Sequence, residues 1–194
     1  CNAAQSDRPS GKPQVVSTST ILTDLAARIG GDDIQLTGIL KPGTDPHVYE
    51  PVPADSAALE RANLILYNGY NLEPGLIKLM KASGTNARQL AVGEVVPPLQ
   101  LKEEGNTVPD PHVWGNARNV VRMSEAIRDA LIELAPQAKD RFIQNADRLI
   151  ADLNRLDTWI RQQIQTIPAQ NRRLVTTHDA FQYFAQGYGI AIAG

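Results

Sequence analysis

Cysteine is almost absent from this chain of 194 residues, because the only one is Cys1. A single cysteine excludes an intrachain disulfide and any zinc site built from several thiolates. The sequence also has no apolar run near the roughly 20 residues that cross a bilayer, and it contains neither a P-loop nor a Gly-x-Gly-x-x-Gly motif. With a formal net charge of −2 it has no basic footprint, so nucleic acid is not an expected partner.

The position of the cysteine is informative. Residues 2–13, which follow Cys1, are small or polar residues, prolines and a glycine, a composition typical of a flexible linker. A chain that begins in this way resembles a mature bacterial lipoprotein, whose first cysteine carries the lipid. We therefore predict a tether over residues 1–13, a lipid anchor on Cys1, and a location outside the cytoplasm, in the periplasm or on the outer face of the cytoplasmic membrane. A chain boundary that merely falls on a cysteine is the alternative.

After the tether, short β-rich runs alternate with longer helical runs, a pattern typical of an α/β fold with parallel strands. We assign residues 14–135 to an N-terminal α/β lobe, in which residues 97–111 are predicted to form a loop. In open parallel sheets, ligands bind where the strands end. The predicted strands are 15–19, 34–39, 64–67 and 87–92, and the predicted helices are 20–29, 54–62, 76–81 and a helix from the N-cap Asn116 to about residue 135.

One predicted helix is unusually long. Apolar residues recur at steps of three and four from Phe142 to Ile167, and Pro136 stands at a helix start, where its missing N–H costs nothing. The pattern predicts a helix over 136–167, about 45 Å long, that links the first lobe to a second; a coiled-coil segment is the alternative. Residues 168–194 are expected to form the start of the second lobe, which is expected to be incomplete in this chain. Its predicted elements are strands at 174–177 and 190–193 and a helix at 180–186.

The chain has three histidines, and an aspartate lies within two residues of each one. The contexts are Asp45-Pro46-His47-Val48-Tyr49, Asp110-Pro111-His112-Val113-Trp114 and His178-Asp179. Neutral imidazole is the commonest metal ligand in proteins. Each histidine could instead be satisfied by a local hydrogen bond. The repeated phrase favours a shared site, so we predict that His47, His112 and His178 bind one metal ion.

Four segments, in this order, resemble those of a known family. They are Asp45-Pro46-His47-Val48-Tyr49-Glu50-Pro51, Leu64-Ile65-Leu66-Tyr67-Asn68-Gly69, Asp110-Pro111-His112-Val113-Trp114 and His178-Asp179-Ala180-Phe181-Gln182-Tyr183-Phe184. The family is that of the zinc- and manganese-binding lipoproteins of bacterial ABC importers, the ZnuA/TroA/PsaA-like group of solute-binding proteins. The resemblance extends from residue 15 to the end of the chain.

The resemblance implies two α/β lobes with parallel sheets, joined by one rigid helix, with a metal ion in the cleft between them. His47 and His112 would come from the first lobe and His178 from the second. The family's fourth ligand, usually an aspartate from later in the second lobe, has no counterpart in this sequence. The resemblance also implies a binding protein, expected to be a monomer, that hands Zn²⁺ or Mn²⁺ to the membrane permease of an ABC importer.

The residues leave the metal open between zinc and manganese. Three imidazoles favour zinc, because nitrogen ligands bind Zn²⁺ more tightly than Mn²⁺. Against this, residues 97–111 contain no histidine, whereas zinc-specific members of the family often carry a histidine-rich loop there. Our prediction is Zn²⁺ or Mn²⁺, with zinc preferred.

A zinc hydrolase is the alternative function. Three histidines and one open position could activate a water molecule, with Asp45, Asp110 or Glu50 as the general base. The sequence has no His-Glu-x-x-His motif, which argues against this alternative. If the chain is a binding protein, Glu50 and Asp179 are the candidates for a hydrogen bond to a ligand imidazole.

Overall fold

The computed structural model describes residues 11–83, 86–103 and 105–193, and these form an α/β fold. The strands are β1 (Gln14–Ser17), β2 (Gln35–Gly38), β3 (Leu64–Tyr67), β4 (Arg88–Ala91), β5 (Gln100–Glu103), β6 (Asn106–Pro109), β7 (Arg173–Leu174) and β8 (Ala191–Ile192). The helices are α1 (Thr20–Gly30), α2 (Pro53–Arg61), α3 (Pro74–Ala82), α4 (Ala117–Leu134), α5 (Lys139–Gln165) and α6 (Gln182–Tyr188). The predicted alternation of strands and helices is confirmed.

A parallel sheet with the strand order β2-β1-β3-β4 forms the centre of the first lobe, which we define as β1–β6 with α1–α4. Val15, Leu64 and Leu66 face one side of this sheet, and Val16 and Ile65 face the other. This is the two-residue period of a strand. Because both faces are covered, β3 is apolar along its length rather than alternating with polar residues.

Helices bury each face of the sheet. On one side, α1, α4 and the first half of α5 enclose a core that includes Leu22, Ile127 and Phe142. On the other side, α2 and α3 contribute Leu59 and Leu76. This double cover leaves the ends of the strands, where the loops begin, as the accessible part of the sheet.

The long helix predicted from the apolar repeat is α5, and it runs without a break over 27 residues, about 40 Å. A 3₁₀ turn, Pro136–Ala138, precedes it. Its first half packs against α1 and α4 through Phe142, Ala146 and Leu149. Farther along, Leu156 and Trp159 are exposed. None of the helices in the described ranges is both long enough and apolar enough to cross a membrane.

The prediction of a loop over residues 97–111 is wrong in its central part. There β5 and β6 form an antiparallel hairpin, with Leu101 opposite Val108. Gly105 at the turn has a φ of +82°, a left-handed conformation that glycine adopts readily. Neither strand has an apolar pattern strong enough to identify it alone, since what stabilises the hairpin is pairing across the turn.

The second lobe, which we define as β7, α6 and β8, packs against the first. Its two strands are parallel and only two residues long each, shorter than predicted, because only these residues pair. The helix α6 continues through Gly187, beyond the predicted end of the helix at residue 186, and contacts both α5 and the turn Val113–Gly115. Contact with the first lobe therefore supplies burial that two short strands cannot. The boundaries predicted for the lobes stay predictions.

Candidate metal centre

The two Asp-Pro-His segments make the same hydrogen bond between side chain and backbone. After β2, the Asp45 carboxylate accepts a 2.9 Å hydrogen bond from the backbone N–H of His47 and caps the 3₁₀ turn Pro46–Val48. After β6, the Asp110 carboxylate accepts a 2.9 Å bond from the backbone N–H of His112. An aspartate that bonds the N–H two residues later forms a local turn that short-range sequence encodes. The repeated phrase therefore gives both histidines the same local bond, although the 3₁₀ turn contains His47 in the first segment and begins after His112 in the second.

His112 is buried, and its ring is oriented by a carboxylate. Its Nδ1 lies 2.7 Å from Oδ1 of Asp110. A carboxylate oxygen accepts hydrogen bonds, so this contact fits the tautomer with the proton on Nδ1, which leaves the lone pair of Nε2 for a metal. Asp110 is fully buried, and its other oxygen, Oδ2, has no hydrogen-bond partner among the described residues. The negative charge beside the ring favours positive charge on its far side.

His178 comes from the second lobe, in the turn between β7 and α6. Its carbonyl oxygen accepts a 2.8 Å hydrogen bond from the backbone N–H of Ala180, and its side chain is exposed. The ring stands edge-on to that of His112, with 4.9 Å between the ring centroids. The two lobes thus meet at this pair of imidazoles.

The Nε2 atoms of the three histidines converge. Nε2 of His112 lies 3.2 Å from Nε2 of His47 and 3.2 Å from Nε2 of His178. The ligand atoms of all three lie within 4.8 Å of one another. In a tetrahedral zinc site with Zn–N bonds of about 2.0–2.1 Å, two ligand nitrogens are about 3.4 Å apart. The three rings therefore fit one small cation after only small movements.

A buried polar network holds the His112 segment against the sheet. The side-chain amide of Asn68, which follows β3, donates a 2.9 Å hydrogen bond to the carbonyl of Pro111. The backbone N–H of Asn68 and the hydroxyl of Thr18 donate to one oxygen of Glu73, at 2.6 and 2.8 Å. Burial raises the pKa of Glu73, although these hydrogen bonds oppose the shift. The ends of β1 and β3 thereby fix the residue that precedes His112.

All three imidazoles line a cavity of about 950 Å³ on the side of the β5–β6 hairpin. Tyr67 and Tyr70 also line it, and burial raises the pKa of both phenols. Trp114 packs against the histidine cluster, because its ring stands edge-on to that of His112 at a centroid distance of 5.4 Å. An ion can therefore approach the nitrogens from the cavity.

Comparison with known proteins identifies the family. Residues 15–194 match the family described as zinc-uptake complex component A, periplasmic (ZnuA). The chain belongs to this family. It is 36% identical to the manganese-binding lipoprotein MntA of Bacillus subtilis, over 93% of this chain and 60% of that protein. It is 35% identical to the manganese ABC transporter substrate-binding lipoprotein PsaA of Streptococcus pneumoniae, over 100% of this chain and 65% of that protein.

A solved structure agrees with this assignment. The periplasmic zinc binding protein TroA from Treponema pallidum superposes with a TM-score of 0.88 at 35% identity, over 95% of this chain and 66% of that one. The predicted fold class, an α/β protein with a parallel sheet and a long helix, is confirmed. The chain spans between 60% and 66% of the length of these three relatives.

The structure brings the three predicted ligands of this ZnuA-family protein together, and their binding of metal stays a prediction. The side chains of Glu50 and Asp179 are exposed. Glu50 lines a shallow pocket with His47. Their hydrogen bonds to a ligand ring also stay predictions. Cys1, the predicted lipid anchor, lies outside the described residues.

The carboxylate that the structure does place on a ligand ring is that of Asp110, which the sequence suggested only as a general base. The sequence contained a signal for this role, since an aspartate stands two residues before His47 and another two residues before His112. The pattern could not tell the two apart. Asp45 is exposed and Asp110 is buried, and this difference depends on tertiary packing.

Proposed function

We propose that this chain binds one divalent ion, Zn²⁺ or Mn²⁺, through Nε2 of His47, His112 and His178, and delivers it to the membrane permease of an ABC importer. The observation that supports binding is the approach of three ring nitrogens to within 4.8 Å of one another. Delivery is supported by the relatives, one of which is named as the substrate-binding lipoprotein of a manganese ABC transporter.

The three predicted ligands have different roles in binding the ion, because they differ in exposure. His47 is partly exposed and His178 is exposed, so they meet the hydrated ion first. His112 is buried and held with Nε2 towards the other rings, so it needs little ordering when the ion arrives. The buried charge of Asp110 offsets part of the cost of removing the cation from water. The ion is cargo, and three neutral ligands release it more readily than three thiolates do.

Metal binding for transport is better supported than zinc-dependent hydrolysis. A hydrolase needs a carboxylate that can take a proton from a metal-bound water molecule. Asp110 is fully buried, and Oδ1 already accepts hydrogen bonds from the ring and the backbone of His112. Asp45 is engaged in the turn that presents His47. The matched relatives are named as binding proteins, not as enzymes.

Calorimetric titration with Zn²⁺ tests the binding step. We expect one ion per chain, and at least a hundredfold weaker binding in His112→Ala, because a tetrahedral site with one nitrogen ligand fewer loses most of its affinity. Tyr49→Phe is the matched control, since Tyr49 follows His47 by two residues and its hydroxyl bonds Asp55 instead. Unchanged zinc affinity in His47→Ala, His112→Ala and His178→Ala would rule out the site.

We further propose that the protein is a monomer held outside the cytoplasm by a lipid on Cys1. The names of the relatives support an anchor, because two of the three, MntA and PsaA, are called lipoproteins. Cells that express the precursor are labelled with an alkyne fatty acid. The label should appear on the protein and be lost in Cys1→Ser, which should also leave the membrane fraction. Equal labelling of both proteins would exclude this anchor.

A further inference from the structure

Tyr183 on α6 makes a pair of hydrogen bonds in the first lobe. Its side chain is buried, and its hydroxyl accepts a 2.9 Å hydrogen bond from the backbone N–H of Leu99. The same hydroxyl donates a 2.8 Å hydrogen bond to the backbone carbonyl of Asp110. Burial raises the pKa of Tyr183 to about 12. The hydroxyl therefore keeps its proton and can donate throughout the neutral range.

These two bonds complete the base of the β5–β6 hairpin. Extending the register by one step beyond Gln100 and Pro109 places Leu99 opposite Asp110. One bond of that pair is present, from the N–H of Asp110 to the carbonyl of Leu99 at 2.8 Å. The reciprocal bond is replaced by the Tyr183 hydroxyl, which joins the N–H of Leu99 to the carbonyl of Asp110. A side chain of the second lobe thus becomes part of a first-lobe ladder.

The residue held in this way is the one that orients a predicted ligand. The Asp110 carboxylate bonds both the ring and the backbone of His112. Tyr183 lies five residues after His178 in the same lobe. A continuous chain of contacts therefore runs from the helix that follows one ligand to the carboxylate that bonds the other.

The surface between α6 and the first lobe is close-packed along its length. A Cβ atom at Gly187 would lie 2.5 Å from the side-chain nitrogen of Asn116, and one at Gly115 would lie 3.3 Å from the backbone nitrogen of Phe184. Farther along the helix, the hydroxyl of Tyr188 accepts a 3.2 Å bond from the backbone N–H of Ala117. The glycines permit this approach, so the helix has little freedom to shift against the His112 segment.

We infer that Tyr183 is a positioning residue that sets the spacing between His112 and His178 by joining α6 to the backbone of Asp110. The inference rests on the proposed metal site. Without the hydroxyl, a partly buried N–H at Leu99 and a buried carbonyl at Asp110 lose their partner. The segment that carries the Asp110 carboxylate then relaxes, and the Nε2 atoms no longer hold their 3.2 Å separation.

The test compares Tyr183→Phe with Tyr188→Phe, two identical changes on one helix. Each removes a buried hydroxyl that bonds the first lobe, but only Tyr183 bonds Asp110. Zinc affinity is measured by competition with a chelator, the geometry of the site by the visible absorption of bound Co²⁺, and stability by thermal unfolding of the metal-free protein. We expect Tyr183→Phe to weaken zinc binding about tenfold, the lower limit for loss of an outer partner, and to change the Co²⁺ spectrum.

Tyr188→Phe should lower the unfolding temperature and leave affinity and spectrum unchanged. Equal affinities for the two variants, or a Co²⁺ spectrum that Tyr183→Phe leaves unaltered, would overturn the inference. If Tyr183→Phe does not fold, Gly115→Ala perturbs the same surface from the first lobe. Unchanged zinc affinity in folded Gly115→Ala would likewise overturn it. Failure of the unaltered protein to bind Zn²⁺ or Co²⁺ would instead refute the proposed function.

Discussion

Replacement of Asp110 by asparagine separates the charge of this residue from its geometry. The amide oxygen of asparagine can still accept hydrogen bonds from the backbone and from Nδ1 of His112, which the carboxylate now receives at 2.9 and 2.7 Å. What disappears is a negative charge in a fully buried position. The variant therefore tests whether that charge contributes to holding a cation on the other side of the ring.

The size of the effect follows from the distances. Oδ1 of Asp110 lies 2.7 Å from Nδ1, so an ion at Nε2 across the ring is about 6–7 Å from the carboxylate. At an effective dielectric constant of about 20, a dication and a unit negative charge at that distance attract each other by about 5 kcal/mol. This is a ceiling, because an outer partner of a ligand is usually worth 10–100-fold in affinity. We expect a loss in this range, about 1.4–2.7 kcal/mol.

Stability should respond in the opposite direction. Oδ2 of Asp110 is buried with no hydrogen-bond partner among the described residues, so removing the charge relieves a desolvation cost in the metal-free protein. We expect the unfolding temperature of metal-free Asp110→Asn to be unchanged or raised, while calorimetry shows weaker zinc binding. Asp45→Asn is the control, because Asp45 makes the same backbone bond to His47 but is exposed. Unchanged zinc affinity in Asp110→Asn, or an equal loss in Asp45→Asn, would show that the buried charge does not help to hold the cation.

Three further predictions concern pH and metal choice. Burial raises the pKa of Glu73. At pH values just above the ordinary pKa of glutamate, the native state therefore binds more protons than the unfolded state. The free energy of unfolding falls as pH rises through the raised pKa and Glu73 ionises. Urea unfolding should show Glu73→Gln more stable than the parent at pH 8, with the gain absent near pH 4. Hydrogen bonds from Arg161 and Arg118 lower the pKa of Asp157 despite its burial. Ionised Asp157 therefore stabilises the native state above the ordinary carboxyl pKa, and this stabilisation is lost as pH falls through the lowered pKa of Asp157. Asp157→Asn should cost about 1–2 kcal/mol at pH 7 and almost nothing near pH 3; an equal cost at both would contradict this. Titration should show Zn²⁺ bound at least about 100-fold more tightly than Mn²⁺ by the three imidazoles, and comparable affinities would refute that preference.

The elements that the sequence predicted well have a strong local pattern. The strand over 64–67 matches β3 to the residue, because a run of four apolar residues buried on both faces has few alternatives. The apolar repeat was sufficient to predict the long helix. The hairpin β5–β6 was missed because its pairing partners are defined across a turn rather than within a run. The second-lobe strands were predicted too long, since only two residues of each one pair.

For the site, the sequence indicated the residue types but not their surroundings. The Asp-Pro-His repeat pointed to His47 and His112 as ligand candidates, and in the structure the aspartate of each segment accepts a hydrogen bond from the backbone N–H of its histidine. It could not show that one aspartate is buried and the other exposed, because burial is set by elements distant in the chain. The role of Tyr183 is still less accessible, since it depends on a helix of the second lobe meeting a carbonyl 73 residues earlier. Local patterns therefore identify ligand candidates, whereas tertiary packing decides what orients them.

The location of bound zinc shows whether the three histidines bind one ion. Crystals grown with Zn²⁺ are measured on both sides of the zinc absorption edge, and the anomalous difference map shows where the metal lies. We predict one strong peak about 2.0–2.1 Å from Nε2 of each of His47, His112 and His178. A peak bonded to only one of these rings, or a zinc ion bound elsewhere while the three rings stay empty, would contradict it.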